Sequence, residues 1–244
     1  MSEHELRVQL AALYRVVAHM RMTDLIYTHI SARIPGSEHH FLINPYGMMF
    51  QEVTASSLVK IDVDGREVDG PHPDGWRANP AGFTIHSAIH MARPDVQCVI
   101  HTHTQAGAAV SAMRGGLLPI SQHALKYHGH LAYHDYEGIA LDLDERDRLT
   151  RDLGTKKAMI LRNHGLLTVG RTIPEAFDEM YFLERACQIQ VSAQSMVGEL
   201  SYPSPEVCSH VAAQFDNDGY PDWIEMAWAA CLRLVAEQKT SYSE

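Results

Sequence analysis

Apolar residues at Leu6, Leu10, Leu13, Val17 and Met20 recur at helical spacing, so the pattern predicts an amphipathic helix over residues 3–21. Residues 28–33 and 41–44 read as strands, with the turn PGSEHH between them. NPYG at 44–47 reads as a turn, and SSLVKID running into DVDGRE as strand, turn and strand. The Gly- and Pro-rich stretch 70–82 breaks both periodicities and reads as loop. A helix is expected over 80–93, stopped by Pro94. DVQCVIHTH at 95–103 reads as a buried strand and TQAGAAVSAM as a helix. Residues 124–139, rich in His and Tyr, read as irregular, and DERDRLTRDL as a polar helix. KAMILRNHGLLTVG at 157–170 predicts a strand, a turn at NHG and a second strand. A long helix follows at 174–197, with Phe177, Met180, Leu183, Cys187 and Val191 on one face and Pro174 near its start. A last helix is expected at 222–238 through Ile224, Trp228, Cys231 and Val235. With no internal repeat, low-complexity tract or linker, these interleaved elements predict a single α/β domain over residues 1–244, ending in a C-terminal helix and tail at 205–244.

Composition narrows the class. The 244 residues are 45% hydrophobic and 20% charged, which suits a globular domain with a substantial core. No apolar run reaches the roughly 18 residues of a membrane span, and MSEHELRVQL lacks a signal-peptide core. The formal charge of −10 and the lack of a long basic cluster argue against a nucleic-acid partner. Cys98, Cys187, Cys208 and Cys231 are widely spaced and read as reduced thiols of a cytoplasmic protein. Met20, Met22, Met48 and Met49 read as core or pocket wall rather than as metal ligands. The acidic run 141–147 reads as a solvated helix start, and Gly115–Gly116 as a turn.

Histidine changes the picture. There are 16 in all. Side chains alternate along a strand, so His101 and His103 at the end of the 95–103 strand share a face. Two imidazoles so placed are half of a zinc-type site. His164, at the end of another apolar strand, is the best third ligand, and Gly165 is expected to allow the tight turn that aims its ring inward. Three neutral imidazoles with open positions form a catalytic rather than a closed structural arrangement. One divalent metal per subunit is expected. Zinc is favoured, with manganese, iron and cobalt open.

The segments THISARI, FLINPYGMMFQEVTASSLVKIDVDG, NPAGFTIHSAIHMARPDVQCVIHTHT, LLPIS, AYHDYEGI and LRNHGLLTVG together resemble the class II aldolase/adducin family over roughly residues 5–200. The branch looks closer to the adducin head and its bacterial relatives than to the sugar-phosphate aldolases proper. The resemblance implies a three-layer α/β/α domain around a mostly antiparallel sheet. It also implies homotetramers with sites between subunits, and a metal on His101, His103 and His164.

Departures from the aldolase pattern matter as much. The position of the aldolases' acid/base carboxylate is Gly82 here, preceded by Pro80 and Ala81 in place of a serine pair. Their Gly-Asn phosphate contact falls on Thr28 and His29; Gly47 matches, but Tyr46 replaces the threonine before it. A sugar phosphate is therefore not the expected substrate. The epimerase acid falls on Leu125. His29, Asn44, Gly47, Gly82 and His90 are the expected substrate-binding positions. His29 and Arg33 are read as facing opposite ways along their strand, with His29 favoured for the site. His86 is read as structural. His123 and His128 are candidate acid/base groups, and Tyr242 a candidate that reaches a neighbouring subunit. Tyr133, His134, Asp135 and Tyr136 suit scaffold packing as well as catalysis. The function expected is a metal-dependent lyase that breaks a C–C bond, by retro-aldol cleavage or decarboxylation, in a small unphosphorylated hydroxy-carbonyl or carboxylic acid substrate. The alternative is a non-enzymatic oligomerisation module like the adducin head. A lesser alternative is an iron-dependent oxygenase.

Overall fold

The computed structural model describes residues 1–36, 39–68, 72–138, 144–217 and 220–244, with only the backbone at residue 81. The PGSEHH turn, the 70–82 loop and the 141–147 run fall partly outside these residues. The described elements are α1 (Glu3–His19), β1 (His29–Arg33), β2 (Phe41–Ile43), β3 (Val59–Ile61), α2 (Pro80–Ala92), β4 (Cys98–Thr102), α3 (Gln105–Ser111), α4 (Gln122–Leu125), β5 (Leu131–His134), α5 (Glu145–Leu153), β6 (Ala158–Leu161), β7 (Gly165–Gly170), α6 (Ile173–Ser195), α7 (Pro205–Phe215), α8 (Tyr220–Leu234) and α9 (Lys239–Tyr242). A capping box starts α1: Ser2 Oγ accepts from the Glu5 N–H at 3.2 Å, and the Glu5 carboxylate accepts from the Ser2 N–H at 2.7 Å.

The strands form one sheet in the order β3-β2-β1-β4-β7-β6-β5. The sheet is mixed: β5 and β6 run parallel, and the other neighbours pair antiparallel. Alternation sorts each strand between two cores. Cys98, Ile100, Ile160 and Leu166 pack with α1, α3 and α6. Val99, Met159, Leu161 and Leu167 pack with Ile85 and Ile89 of α2 and Leu149 and Leu153 of α5. Helices thus cover both faces of the sheet, the expected α/β/α layering.

Some elements differ from expectation. DVDGRE does not add a full strand to β3; a single bridge joins Ile61 to Glu67. Segment 124–139 is not wholly irregular, since it contributes β5. The C-terminal region carries α7, which the apolar pattern did not predict. Ser204 caps α7, accepting from the Val207 N–H at 3.4 Å, and Pro205 opens its first turn. His29 and Arg33 do not face opposite ways. Positions 29, 31 and 33 have the same parity and share the α2 side of the sheet. Arg33 lies out of the site because it is at the strand's far end, where its guanidinium binds the Val96 and His90 carbonyls.

Candidate metal centre

β4 lies between β1 and β7, and in the register His29 sits opposite His101, which sits opposite Leu167. Three imidazoles converge at this end of the sheet. His103 Nε2 lies 2.9 Å from His101 Nε2 and 2.9 Å from His164 Nε2, and the three ligand atoms all fall within 4.8 Å of one another. His103 stands just past the end of β4, so the chain, and not strict strand alternation, brings its ring to His101. Ser111 at the end of α3 secures the His164 turn: its carbonyl accepts from the Asn163 N–H at 3.2 Å and its hydroxyl from the His164 N–H at 3.1 Å. Asn163, not Gly165, takes the left-handed backbone of this turn, with φ 55°. Gly165 serves close approach instead, since a Cβ there would collide with the Thr102 carbonyl.

The outer nitrogens fix the inner ones. His101 Nδ1 donates to the Leu166 carbonyl at 2.9 Å, and His103 Nδ1 donates to Asp24 Oδ2 at 3.1 Å. In neutral rings both Nε2 atoms are then bare lone pairs. Lone pairs 2.9 Å apart repel unless a cation or proton lies between them. This donor set, with a carbonyl and a carboxylate behind the rings, fits a divalent metal of the zinc type. Burial pushes the His101 imidazole well below its usual range and that of His164 down to about 4, so both remain neutral and able to ligate at neutral pH.

Beside this group, the His29 ring lies 4.9 Å from that of His101. Gly82 packs against it: a Cβ at 82 would come within 2.9 Å of His29 ring atoms. His90 is buried and bonded to Ser31 Oγ at 2.8 Å. Asn44 is also buried, tied to Tyr14 and to the Thr28 carbonyl, so it braces the β1 end from beneath. Gly47 adopts φ 100° beside Trp76.

The candidate acid/base groups lie elsewhere. His123 stacks on Phe182 of α6, and His128 lies in the turn after α4; among the described residues neither shares a hydrogen bond or ring contact with the trio. Tyr242 does not reach outward. It is 4% exposed in this chain's own core, where α9 docks on α1 and the Tyr242 carbonyl accepts from the Ala55 N–H at 2.8 Å. Tyr133 and His134 are scaffold: the Tyr133 hydroxyl accepts from the Leu117 N–H at 3.0 Å, and His134 Nδ1 donates to Asp152 at 2.8 Å. Tyr136 keeps an exposed ring 6.3 Å from that of His164. Sequence reasoning missed Asp24, which is 79 residues from its partner and carries no motif.

Comparison with known proteins gives the family and the fold. Residues 8–191 match the family model described as Class II Aldolase and Adducin N-terminal domain. The crystal structure of an aldolase II superfamily protein from Pseudomonas syringae superposes with a TM-score of 0.94 at 52% identity, covering 100% of this chain and 96% of that one. L-fuculose 1-phosphate aldolase from Glaciozyma antarctica superposes with a TM-score of 0.87 at 29% identity, covering 99% and 93%. Alpha-adducin of Rattus norvegicus is 50% identical over 197 residues, which are 80% of this chain and 26% of adducin. The chain belongs to the class II aldolase and adducin N-terminal domain family.

Proposed function

We propose that this chain is a metal-dependent carbon–carbon lyase acting on a small unphosphorylated hydroxy-carbonyl or carboxylic acid substrate, by retro-aldol cleavage or decarboxylation. The observation that carries the reading is the convergence of three Nε2 atoms, two of them held bare by the Leu166 carbonyl and Asp24. His101, His103 and His164 would hold one divalent ion, zinc first among the candidates. When bound, the ion supplies Lewis acidity to the electron-rich oxygen that develops as the C–C bond breaks. The chain's own contribution is to orient the ligands, to keep the His101 and His164 rings neutral by desolvation, and to offer a wall formed by His29 and Gly82. Gly82 carries no acid, and the His29 ring occupies the space that a side chain there would need. The replacement of the family's phosphate-contact residues by Thr28, His29 and Tyr46 also supports an unphosphorylated substrate. We further propose a cytoplasmic homotetramer with sites between subunits, as the family implies.

Elemental analysis tests the centre: about one zinc-type ion per chain is expected in the purified protein, and a large loss in His103→Ala. Equal metal in both proteins would sink the ligand assignment. Metal-loaded protein should cleave or decarboxylate one of a panel of hydroxy acids and should leave L-fuculose 1-phosphate intact. Robust cleavage of that phosphate would overturn the substrate class. The 50% identity to alpha-adducin favours a second reading, a binding module without turnover. A metal-loaded oligomer that is silent on the whole panel would support it.

A further inference from the structure

A second histidine system lies next to the trio and is built differently. His29 Nδ1 is 2.8 Å from His86 Nε2. His86 Nδ1 bonds Ser31 Oγ, which in turn lies 2.8 Å from His90 Nε2. β1 supplies His29 and Ser31 two residues apart on one face, and α2 supplies His86 and His90 one turn apart, so the four side chains interleave into one chain. All four are buried. Among the described residues none of the three rings bonds a carboxylate, and buried rings without an acidic partner are neutral; burial pushes the His86 imidazole well down and that of His90 to about 3.

A neutral imidazole has one N–H and one bare nitrogen. Each link of the chain holds one hydrogen, and the buried Ser31 hydroxyl, which bonds only His86 and His90 among the described residues, must donate along one of its two links, so only two orders satisfy every group. In one, all three rings carry hydrogen on Nδ1; the bonds run from His29 to His90, and His90 Nδ1–H is left over. In the other, all three carry it on Nε2; the bonds run from His90 to His29, and His29 Nε2–H is left over. The His90 end decides between them. Its Nδ1 is sealed from solvent with no hydrogen-bond partner among the described residues. The Val96 carbonyl lies close enough to influence that ring, yet it completes no hydrogen bond with Nδ1 and is engaged by Arg33 Nε at 3.2 Å. A sealed N–H without an acceptor is rarer than an under-used acceptor. The Arg33 guanidinium, which donates to the His90 carbonyl, also favours an electron pair over a hydrogen there. At the other end, His29 Nε2 has no hydrogen bond among the described residues and is not among the sealed, unpartnered atoms. It faces Gly82, where a Cβ would come within 3.2 Å of it.

We infer that Ser31, His86 and His90 hold His29 as a neutral Nε2–H donor beside the metal centre, a seat for a carboxylate or carbonyl oxygen of the substrate. His29 is then a hydrogen-bond donor and not a base, and the other three are positioning residues. The inference deepens the proposed function and rests on it only for the identity of the oxygen.

Histidine-selective 15N labelling of the full-length protein at neutral pH reads the tautomers directly, with signals assigned by single His→Gln replacements. His29, His86 and His90 should all be Nε2–H. Ser31→Ala should fold, as judged by circular dichroism, yet leave His86 and His29 in mixed tautomers, and Ser31→Thr should restore the single form. Glycolate, the simplest hydroxy acid, should shift the His29 Nε2–H resonance in zinc-loaded protein. An Nδ1–H set in the parent protein, tautomers unmoved in Ser31→Ala, or no response to glycolate would each overturn the inference. None of these readouts needs turnover. The predicted tautomers in a protein that cleaves nothing would keep the inference and remove the lyase reading.

Discussion

At the scale of single residues, the site is a set of nitrogens whose free electron pairs are decided by what stands behind them. Asp24 is the clearest case. Its carboxylate accepts from His103 Nδ1 and turns Nε2 toward the other two rings. Asp24→Asn should therefore weaken metal affinity by about 10–100-fold while the fold stays intact. Competition with a graded series of chelators would show this, and unchanged affinity would remove Asp24 from the centre. Gly82 is the second case. Gly82→Ala places a methyl group within 2.9 Å of the His29 ring, which its 2.8 Å bond to His86 holds in place. The expected loss is about 1–3 kcal/mol by chemical denaturation, with the His29 resonances displaced. The ligand trio was legible in the sequence because two members are two residues apart and the third ends an apolar strand before a glycine. Asp24 and the Ser31 link were not, because each acts across a long separation that only the sheet and its helices close.

At the scale of elements, legibility followed burial. The central strands β4, β6 and β7 and the helices α1, α2 and α6 bury wide apolar faces, and their periodicity marks them in the sequence. Helix α7 buries only Cys208 and Ala212, too thin a stripe to stand out; the available signal was its Ser204–Pro205 start. Strand β5 has a weak, alternating burial and exists because β6 offers it a parallel partner. The C-terminal helices are fastened by apolar contacts such as Trp228 against Phe177 and by a polar cluster. Lys126, just after α4, lies 2.6 Å from Asp178 and 3.2 Å from Glu179 on α6, and Tyr220 of α8 donates to the same Asp178 oxygen at 2.8 Å. The ammonium also sits 4.7 Å over the Phe182 ring. Lys126→Ala leaves two acids buried without their cation, and burial already pushes the Glu179 carboxyl up. A loss of about 3–5 kcal/mol is expected by urea denaturation. A loss below about 1 kcal/mol would show that the cluster does not hold α8 in place.

At the scale of the whole molecule, one chain buries His29, His86, His90 and His101 and half-buries His164, and all five are pushed below their ordinary value of 6.5. The sign follows from linkage. As pH falls through about 6.5, the unfolded chain takes up protons that the folded chain refuses until about 4 at His164 and about 3 at His90. The unfolded state therefore binds more protons across that window, and stability declines as the medium is acidified. Each fully engaged group contributes a slope of about 1.4 kcal/mol per pH unit, so several together erode a large part of a typical domain stability of about 5–15 kcal/mol within one or two pH units. Carboxylates held low by ion pairs, such as Asp95 beside Arg93, act in the same direction but only in more acidic solution. The two windows can thus be separated. Metal-free protein should lose thermal stability steeply between pH 6.5 and 5, before the ion-paired carboxylates titrate and against a smaller opposing contribution from Glu179 and Glu184, whose carboxyls burial pushes up. Added zinc should raise the midpoint at pH 7, through a gain of about 2.7 kcal/mol in stability at a hundredfold excess over Kd, and should do so much less in His103→Ala. Scanning calorimetry across this range reads both effects. A midpoint that stays flat from pH 7 to 5 without metal would mean that the buried rings are not held neutral, and the argument that their electron pairs face the metal centre would fall with it.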